Sequence, residues 1–236
     1  RLLQAQAVAS NLFDRIAAEL IRPGVTESHL AHEIIALGRR EFGLQTHWHK
    51  RIVRAGINTL AVYNENPPEV VIGEDDLVFV DLGPVFEDWE ADFGRTFVLG
   101  DDPLKHRLCD QVLRAFNTGK RHFQAHPDIT GAALFDFLRA QARRDGWEFG
   151  GIIAGHWVGE FPHKGIPEYP KEGIADAHHH RPMRALDSRG REQHWILEIH
   201  YEFAEKPVHF SGRCVVQLIF EYRLKLGYVF CAPFGR

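Results

Sequence analysis

Two aspartates stand beside apolar segments in the middle of this sequence. Asp81 ends the segment LVFVD, and Asp92 precedes FGRTFVL eleven residues later. Pairing of these segments as a β-hairpin would bring the two carboxylates together in a buried place, where unpaired charges are costly. A divalent cation between them removes that cost, because oxygen ligands suit such an ion. The alternatives are that both aspartates are exposed turn residues or that they pair with Arg95.

Two later apolar segments contain further candidate ligands. His156 lies in IIAGHWVGEF with His163 seven residues farther on, and Glu198 lies in HWILEIH beside His200. Apolar residues on both sides of Glu198 predict that its carboxylate faces inward or toward a partner. Two aspartates, a histidine and a glutamate make a mixed nitrogen and oxygen site that suits Mn, Fe, Co or Zn. Taken alone, each of these residues is more often an ordinary core or surface residue.

Helices and β-strands must hold these residues in place. Apolar residues recur at helical spacing in four segments, at residues 1–21, 26–43, 103–118 and 131–146. Segments rich in β-formers or alternating in polarity predict strands at residues 50–62, 77–83, 92–100, 194–203, 213–224 and 226–230. A pair of helices followed by a β-hairpin is therefore expected twice along the chain.

The composition indicates one domain with a sizeable core. Of the 236 residues, 44% are apolar, and 17 phenylalanines and 5 tryptophans supply bulk. We expect a single domain over residues 1–236, with an N-terminal half of about residues 1–118 and a C-terminal half of about residues 119–236. The net charge of −4 and the lack of a Lys/Arg block argue against nucleic acid or an anionic membrane as a partner.

The cysteines indicate the redox environment. Cys109, Cys214 and Cys231 are widely spaced and lie outside CxxC pairs. This pattern favours neither a disulfide framework nor a thiolate zinc site. We therefore expect buried thiols in a reducing cytoplasm.

The order and context of the candidate ligands resemble those of the pita-bread metallopeptidases, which include methionine aminopeptidases, proline-specific aminopeptidases and dipeptidases, and creatinases. The likeness lies in Asp81 in VDLG, Asp92 before GRTF, His156 in GHWVG with His163 following, and Glu198 in ILEIHYEF. It extends over most of the chain. The resemblance implies an α+β fold, in which helices cover the outer face of a pseudo-twofold, curved antiparallel sheet.

The resemblance also implies a metal site. Most members of that family hold two metals with two aspartates, one histidine and two glutamates. Carried over to this sequence, Asp81 binds one metal, Asp92 bridges the two, and His156 and Glu198 bind the other. His163 matches a histidine that contacts the substrate or its tetrahedral oxyanion.

The last strand departs from the family pattern. Where the family has a metal-bridging glutamate, the segment GRCVVQLIFEYRL places Val216, beside Gln217. Glu221 is the carboxylate of that strand, but its offset of five residues turns it to the other face unless a bulge intervenes. With this glutamate missing, we expect one bound ion rather than two, on the three-ligand face of Asp92, His156 and Glu198.

A second departure concerns contacts with the substrate. Many relatives place an active-site histidine in the segment that here reads RAGINTLAVY, and this chain has Tyr63 there. His49, with His47 in THWHKR, and His200 are further candidates for substrate contact. The run HHH at residues 178–180 is compatible with an adventitious metal binder, a solvated loop or an active-site rim.

The implied function is that of a cytoplasmic, metal-dependent hydrolase. Such an enzyme resembles aminopeptidases and Xaa-Pro dipeptidases, and it cleaves an amide bond of a small peptide with a metal-bound water, manganese being one suitable ion. Two alternatives stay open because of Val216. One is a mononuclear metal enzyme with non-peptidase chemistry, either C–N hydrolysis or an iron/O₂ reaction, and the other is a catalytically silent binding relative. A small peptide or another small amide is the expected partner, and a homodimer is left open.

Overall fold

The computed structural model describes residues 1–163, 169–203 and 213–220. Its helices are α1 Leu2–Glu19, α2 Glu27–Phe42, α3 Pro103–Ala125, α4 Gly131–Asp145 and the short α5 Tyr169–Glu172. Its strands are β1 Thr46–His47, β2 Ile52–Ala55, β3 Leu77–Leu82, β4 Pro84–Phe86, β5 Trp89–Glu90, β6 Phe93–Val98, β7 Glu148–Phe149, β8 Trp157–Val158, β9 His194–Glu202 and β10 Arg213–Phe220. Glu221 and the strand predicted at residues 226–230 lie outside the described residues.

A seven-stranded sheet organises the described part of the chain. Its strands follow the order β2-β3-β6-β10-β9-β7, and β8 pairs with β9. Every one of these pairings is antiparallel. The strands β2, β3 and β6 precede α3 and the others follow it, so the two parts of the chain meet where β6 pairs with β10.

The long helices pack on this sheet in the predicted pairs. α1 and α2 contact each other and contact β6 and β2, respectively, whereas α3 contacts α4, β9 and β10. One large apolar cluster joins buried residues of all four helices to those of the sheet. The α+β fold class predicted from the sequence is confirmed. None of the helices in the described segments combines the length and the apolar character that crossing a membrane requires.

The predicted helix ends agree with the structure. Thr26 caps α2 by accepting a hydrogen bond from the His29 N–H, and Gly43 ends that helix with a φ of 64°. Thr130 and Gly146 have the same two roles at α4, where the φ of Gly146 is 86°. A side-chain oxygen satisfies an orphan N–H at a helix start, and glycine tolerates the left-handed conformation at a helix end.

Two predicted elements have different lengths in the structure. The strand expected over residues 50–62 ends at Ala55 and continues as the 3₁₀ turn Gly56–Leu60. The buried Glu27 carboxylate causes this departure, because it accepts hydrogen bonds from the Ala55 N–H and the Asn58 amide. Helix α3 extends past residue 118 to Ala125, since Gly119 leaves room for a close approach to Leu138 of α4.

Candidate metal centre and active site

The β-hairpin formed by β3 and β6 brings the two central aspartates together. Asp81 pairs with Gly94 across the hairpin, and Asp92 directly precedes β6. Asp81 is 7% exposed and Asp92 is fully buried, so neither is an exposed turn residue. Arg95 points elsewhere and binds Asp14 at 3.0 Å. The two alternatives considered for these aspartates are therefore excluded.

His156 joins Asp92 to a glutamate from the other part of the sheet. Its Nε2 lies 3.2 Å from Asp92 Oδ2 and 3.5 Å from Glu198 Oε1. Gly155 makes this placement possible: its φ is 147°, and any Cβ there would clash with the Ile196 carbonyl oxygen of β9. The close contact of the two backbones sets His156 beside Glu198. The structure thus brings together Asp81, Asp92, His156 and Glu198, the four ligands expected from the sequence.

His49 enters the same cluster from the opposite side of Asp92. Its Nε2 lies 3.6 Å from Asp81 Oδ1 and 3.8 Å from Asp92 Oδ1. In this trio, one candidate ligand atom of each residue lies within 4.8 Å of the other two. The sequence analysis expected His49 only as a contact for substrate. Asp92 therefore presents one carboxylate oxygen to His49 and the other to His156.

The donor atoms of the cluster fit a divalent ion. His49 Nε2 and Asp81 Oδ1 are both buried, and neither has a hydrogen-bond partner among the residues that the structure describes. A buried polar atom in that condition costs free energy unless something satisfies it. Carboxylate oxygens and imidazole nitrogens are ligands that Mn, Fe, Co and Zn accept. We conclude that the residues present fit a metal.

Burial and mutual charge shift the ionisation of the cluster. Burial raises the pKa of Asp81 to about 7, and the nearby His49 limits that rise. Burial also disfavours ionisation of Asp92, yet His156 and His49 outweigh it and hold the pKa of Asp92 below its usual value. Burial lowers the pKa of His49, but the charges of Asp81 and Asp92 outweigh this effect and raise it to about 9. A metal that binds here has to displace these protons.

His163 is fixed by an acidic residue that the sequence analysis missed. Both side chains of the pair His163 and Glu90 are 1% exposed, and His163 Nδ1 donates to Glu90 Oε2. The His163 backbone N–H donates to the other oxygen of Glu90 at 3.0 Å. The His163 ring stacks at 6.0 Å from that of His156. Its Nε2 is buried and has no hydrogen-bond partner within the described ranges, so it is the ring atom left for a substrate.

A signal for Glu90 was present in the sequence. In WEAD, Glu90 and Asp92 alternate with apolar residues, and the alternation of side chains along an extended chain puts them on one face. The same observation, a charge inside an apolar segment, identified Glu198. Glu90 lies in β5, a strand of two residues, which is too short to give a clear strand pattern in the sequence.

Trp48 is a second residue that the sequence analysis missed. Its ring lies edge-on to those of His49, His156 and His163, with centroids 4.4, 5.3 and 4.8 Å away. The indole N–H donates to the Ala91 carbonyl at 2.9 Å. The tryptophan therefore packs against three histidines at once. Its position between two histidines in THWHKR was the available signal.

A cavity of about 370 Å³ opens onto the cluster. Its wall contains the candidate ligands and apolar side chains, among them Ile52, Val62, Phe79, Ile152, Ile153 and Ile174. Two larger depressions, of about 690 and 830 Å³, contain none of the four expected metal ligands. Apolar walls with a few convergent polar groups are typical of small-molecule sites.

The other candidates for substrate contact also line this cavity. Tyr63 is 44% exposed and its hydroxyl accepts a hydrogen bond from the Lys50 N–H. His200 Nε2 lies 3.1 Å from Glu198 Oε2, so its ring also orients a candidate metal ligand. Of the histidine run, His179 is buried at the start of α4 and accepts the Gly131 N–H, away from the cavity.

The register of β10 places the segment that contains the departed ligand position beside β9 and β6. Gln217 pairs with Glu198 of β9 and with Gly94 of β6, and Gly94 in turn pairs with Asp81. Directly opposed residues of antiparallel strands share one face of the sheet. Val216 pairs instead with Ile199. In this ladder Gln217, rather than Val216, stands opposite Glu198, and the assignment of the departed ligand position to Val216 stays a prediction.

Comparison with known proteins supports the resemblance. The sequence model of metallopeptidase family M24 matches residues 1–187. A methionine aminopeptidase of Staphylococcus epidermidis is 28% identical over 152 residues, which cover 62% of this chain and 59% of that protein. An Xaa-Pro dipeptidase of Lactobacillus helveticus is 28% identical over 169 residues, covering 71% of this chain and 44% of that protein. The chain thus spans about half the length of these curated relatives.

Solved structures show the same fold. The X-Pro aminopeptidase from Thermotoga maritima matches with a TM-score of 0.68 and 21% identity, over 92% of this chain and 56% of that chain. The prolidase from Pyrococcus horikoshii OT3 matches with a TM-score of 0.68 and 20% identity, over the same shares. The pita-bread fold predicted from the resemblance is confirmed.

Proposed function

Because the chain belongs to metallopeptidase family M24, we propose that it is a metal-dependent hydrolase that cleaves an amide bond at the N-terminal end of a small peptide. One observation carries this proposal. Asp81, Asp92, His156 and Glu198 converge at the wall of an apolar cavity, and His163 stands beside them with its Nε2 unsatisfied among the described residues. The relatives named methionine aminopeptidase and Xaa-Pro dipeptidase support a peptide as substrate.

The side chains of the site bind the metal and orient the groups that react. We assign Asp81, Asp92, His156 and Glu198 as the residues that bind the metal, with His200 holding Glu198. If these residues held a divalent ion such as Mn²⁺, the ion would supply Lewis-acid activation of water and of the substrate carbonyl. The Nδ1–H of His156 faces the Trp157 carbonyl at 2.7 Å, so the Nε2 lone pair is directed at the cluster.

His163 is assigned to the substrate oxygen. The Glu90 carboxylate accepts from Nδ1 and so fixes the direction of the His163 ring. The Nε2–H is then the remaining donor, and it can stabilise an oxyanion as charge develops on the scissile carbonyl. His163 itself lines the depression of about 690 Å³ rather than the wall of the cavity of about 370 Å³.

The cavity limits the size of the substrate. A volume of about 370 Å³ lies near the lower end of small-ligand pockets, which start at about 300 Å³. This supports a short peptide held by its first residues, and the aromatic rings of Tyr63 and Tyr169 in the wall suit an apolar side chain. We propose a cytoplasmic location, because Cys109 is buried in α3 and the cysteine spacing indicates a reducing environment.

The test combines metal content with turnover. Protein freed of metal by a chelator is assayed on peptides that begin with methionine and on Xaa-Pro dipeptides, with Mn²⁺, Co²⁺, Fe²⁺ or Zn²⁺ restored. We expect activity only after restoration. Glu198→Ala is expected to lower kcat/KM at least about 100-fold, because it removes a ligand of the ion.

The control is Glu148→Ala, which removes an exposed carboxylate of the same sheet and should leave turnover unchanged. Full activity in the presence of the chelator would contradict the proposal. Metal binding without turnover of any peptide would favour the mononuclear or the silent alternative.

A further inference from the structure

We propose that His49 is a metal ligand, and that its Nε2 forms a second metal position with Asp81 and Asp92 beside the one formed by Asp92, His156 and Glu198. This inference rests on the proposed function, since it requires that the chain binds divalent metal. It assigns a role to a histidine that lies outside the ligand set expected from the sequence.

The orientation of the His49 ring is the first argument. Its Nδ1 lies 2.6 Å from the Lys50 carbonyl oxygen. A carbonyl oxygen only accepts, so Nδ1 keeps its hydrogen, and when a metal displaces the proton on Nε2 the lone pair of that nitrogen faces the carboxylates. His156 is held in the same way, since its Nδ1 lies 2.7 Å from the Trp157 carbonyl. Each histidine is thus fixed by the carbonyl of the next residue, an arrangement typical of metal-binding imidazoles.

The convergence of buried ligand atoms is the second argument. His49 Nε2 lies 3.6 Å from Asp81 Oδ1 and 3.8 Å from Asp92 Oδ1. Ligands that share one divalent ion lie about 3 to 4 Å apart, given ion–ligand distances of about 2.0 to 2.6 Å. The side chains of His49 and Asp81 are 4% and 9% exposed, and within the described segments no hydrogen bond satisfies His49 Nε2 or Asp81 Oδ1.

The space around His49 is the third argument. A Cβ on Gly83 would lie 2.6 Å from His49 Nε2, so the imidazole occupies room that the missing side chain leaves. The ring also meets Trp48 edge-on at 4.4 Å, and Gly83 lies against both rings. The indole is itself anchored to the Ala91 carbonyl. A ring held between backbone and tryptophan is preorganised for a ligand.

This second position accounts for the two oxygens of Asp92. Oδ1 faces His49 and Oδ2 faces His156, so the aspartate lies between two imidazole nitrogens. Without His49, the described residues at the first position would be Asp81 and Asp92 alone. With it, each position has one nitrogen and two carboxylate ligands, a set that suits Mn, Fe, Co or Zn. The expectation of a single ion is thereby replaced by two.

The experiment titrates Co²⁺ into chelator-treated protein and follows binding by calorimetry and by the visible absorbance of the ion. The variant is His49→Gln, and the control is His29→Gln, at an exposed histidine of α2. We expect two ions in the wild-type protein and in the control. We expect one ion in His49→Gln, with the lost position weakened at least about 100-fold.

The outcomes separate this inference from the function on which it rests. If the wild-type protein binds no Co²⁺, both the proposed function and this inference fail. If it binds one ion and His49→Gln binds the same one, only the role of His49 is overturned. Two ions in His49→Gln, at wild-type affinity, would also overturn it.

A second measurement avoids the variant altogether. In ¹⁵N-histidine-labelled wild-type protein saturated with Zn²⁺, two histidines should show metal-perturbed Nε2 signals while their Nδ1–H signals persist. They correspond to His49 and His156. A single perturbed histidine would contradict the assignment of His49.

Discussion

Glu90 and His163 form a buried pair whose geometry fixes the direction of an imidazole. Both oxygens of Glu90 are used on His163, one by the ring and the other by the backbone N–H. Among single residues, Asp81, Asp92 and Glu198 were predictable from the sequence as candidate metal ligands. A carboxylate inside an apolar segment indicates a buried charge that needs a partner. The sequence did not predict the role of His49 as a neighbour of two aspartates, since that contact depends on how the segment between β1 and β2 folds over Gly83.

Glu90→Gln tests the pair. The amide nitrogen can donate to Nδ1 of His163, which moves the ring proton to Nε2 in the neutral tautomer and removes the charge that compensates an imidazolium. We expect kcat to fall about 10- to 100-fold. Because His163 is assigned to a charge that develops only in the transition state, KM should change by less than about threefold. Peptide turnover gives the two constants, and ¹⁵N shifts of His163 report the tautomer.

Glu160→Gln is the matched control for this prediction, because Glu160 is an exposed carboxylate near the same strand. It should alter neither the kinetics nor the His163 signals. An unchanged tautomer in Glu90→Gln, or an equal loss in both variants, would refute the positioning role.

The elements of the fold were largely predictable where the signal is local. The four long helices and the hairpin of β3 and β6 follow from apolar periodicity and from capping residues, and the structure confirms them. The 3₁₀ turn after β2 was not predictable, because it depends on Glu27, which lies far from Asn58 in the sequence. The length of α3 likewise depends on its contact with α4. The histidine run at residues 178–180 is a loop, as expected, but its central member is buried.

His179 should make the stability of α4 depend on pH. Its Nδ1 accepts the Gly131 N–H, and burial lowers the pKa of His179 below its usual value. The unfolded chain therefore binds a proton at this histidine where the folded chain does not. Neutral His179 therefore contributes fully to the free energy of unfolding at pH values above the unfolded pKa of about 6.5. This contribution is lost as the pH falls toward the lower pKa of the folded state.

Urea unfolding between pH 5 and pH 7 measures this effect. We expect His179→Gln, whose amide oxygen still accepts the N–H but does not titrate, to show a shallower loss of stability on acidification than the wild-type protein. The difference amounts to at most about tenfold in the unfolding equilibrium constant per pH unit. His178→Gln, at the exposed neighbouring position, should retain the wild-type slope. Equal slopes in all three proteins would contradict the prediction.

Across the whole molecule, the candidate ligands are distributed over both parts of the chain. Asp81 and Asp92 precede α3, whereas His156 and Glu198 follow α4. The single domain predicted over residues 1–236 stays a prediction, although one apolar cluster joins α1 to β9. The composition indicated a large core. Only the sheet order shows that the two parts of the chain are joined by the pairing of β6 with β10. That order is set by contacts distant in sequence, which single-sequence patterns do not contain.

Metal should stabilise the folded protein as a whole. An ion that binds only the folded state adds about 2.7 kcal/mol to the free energy of unfolding at 100 times its dissociation constant. Thermal melts with chelator and with Mn²⁺ measure the effect. We expect Mn²⁺ to raise the Tm of the wild-type protein and of Glu148→Ala, but to raise that of Glu198→Ala much less. An equal increase in all three would show that the ion binds elsewhere.

The placement of the ligands on both sides of α3 and α4 has a consequence for synthesis. A ribosome that has released the β3–β6 hairpin has delivered both aspartates, but it has not yet delivered His156 or Glu198. At that stage the position formed by His49, Asp81 and Asp92 is complete, but the position formed by Asp92, His156 and Glu198 still lacks two of its three ligands. The two ions are therefore expected to bind at different stages of synthesis, and a nascent chain stalled before β9 should hold at most one ion.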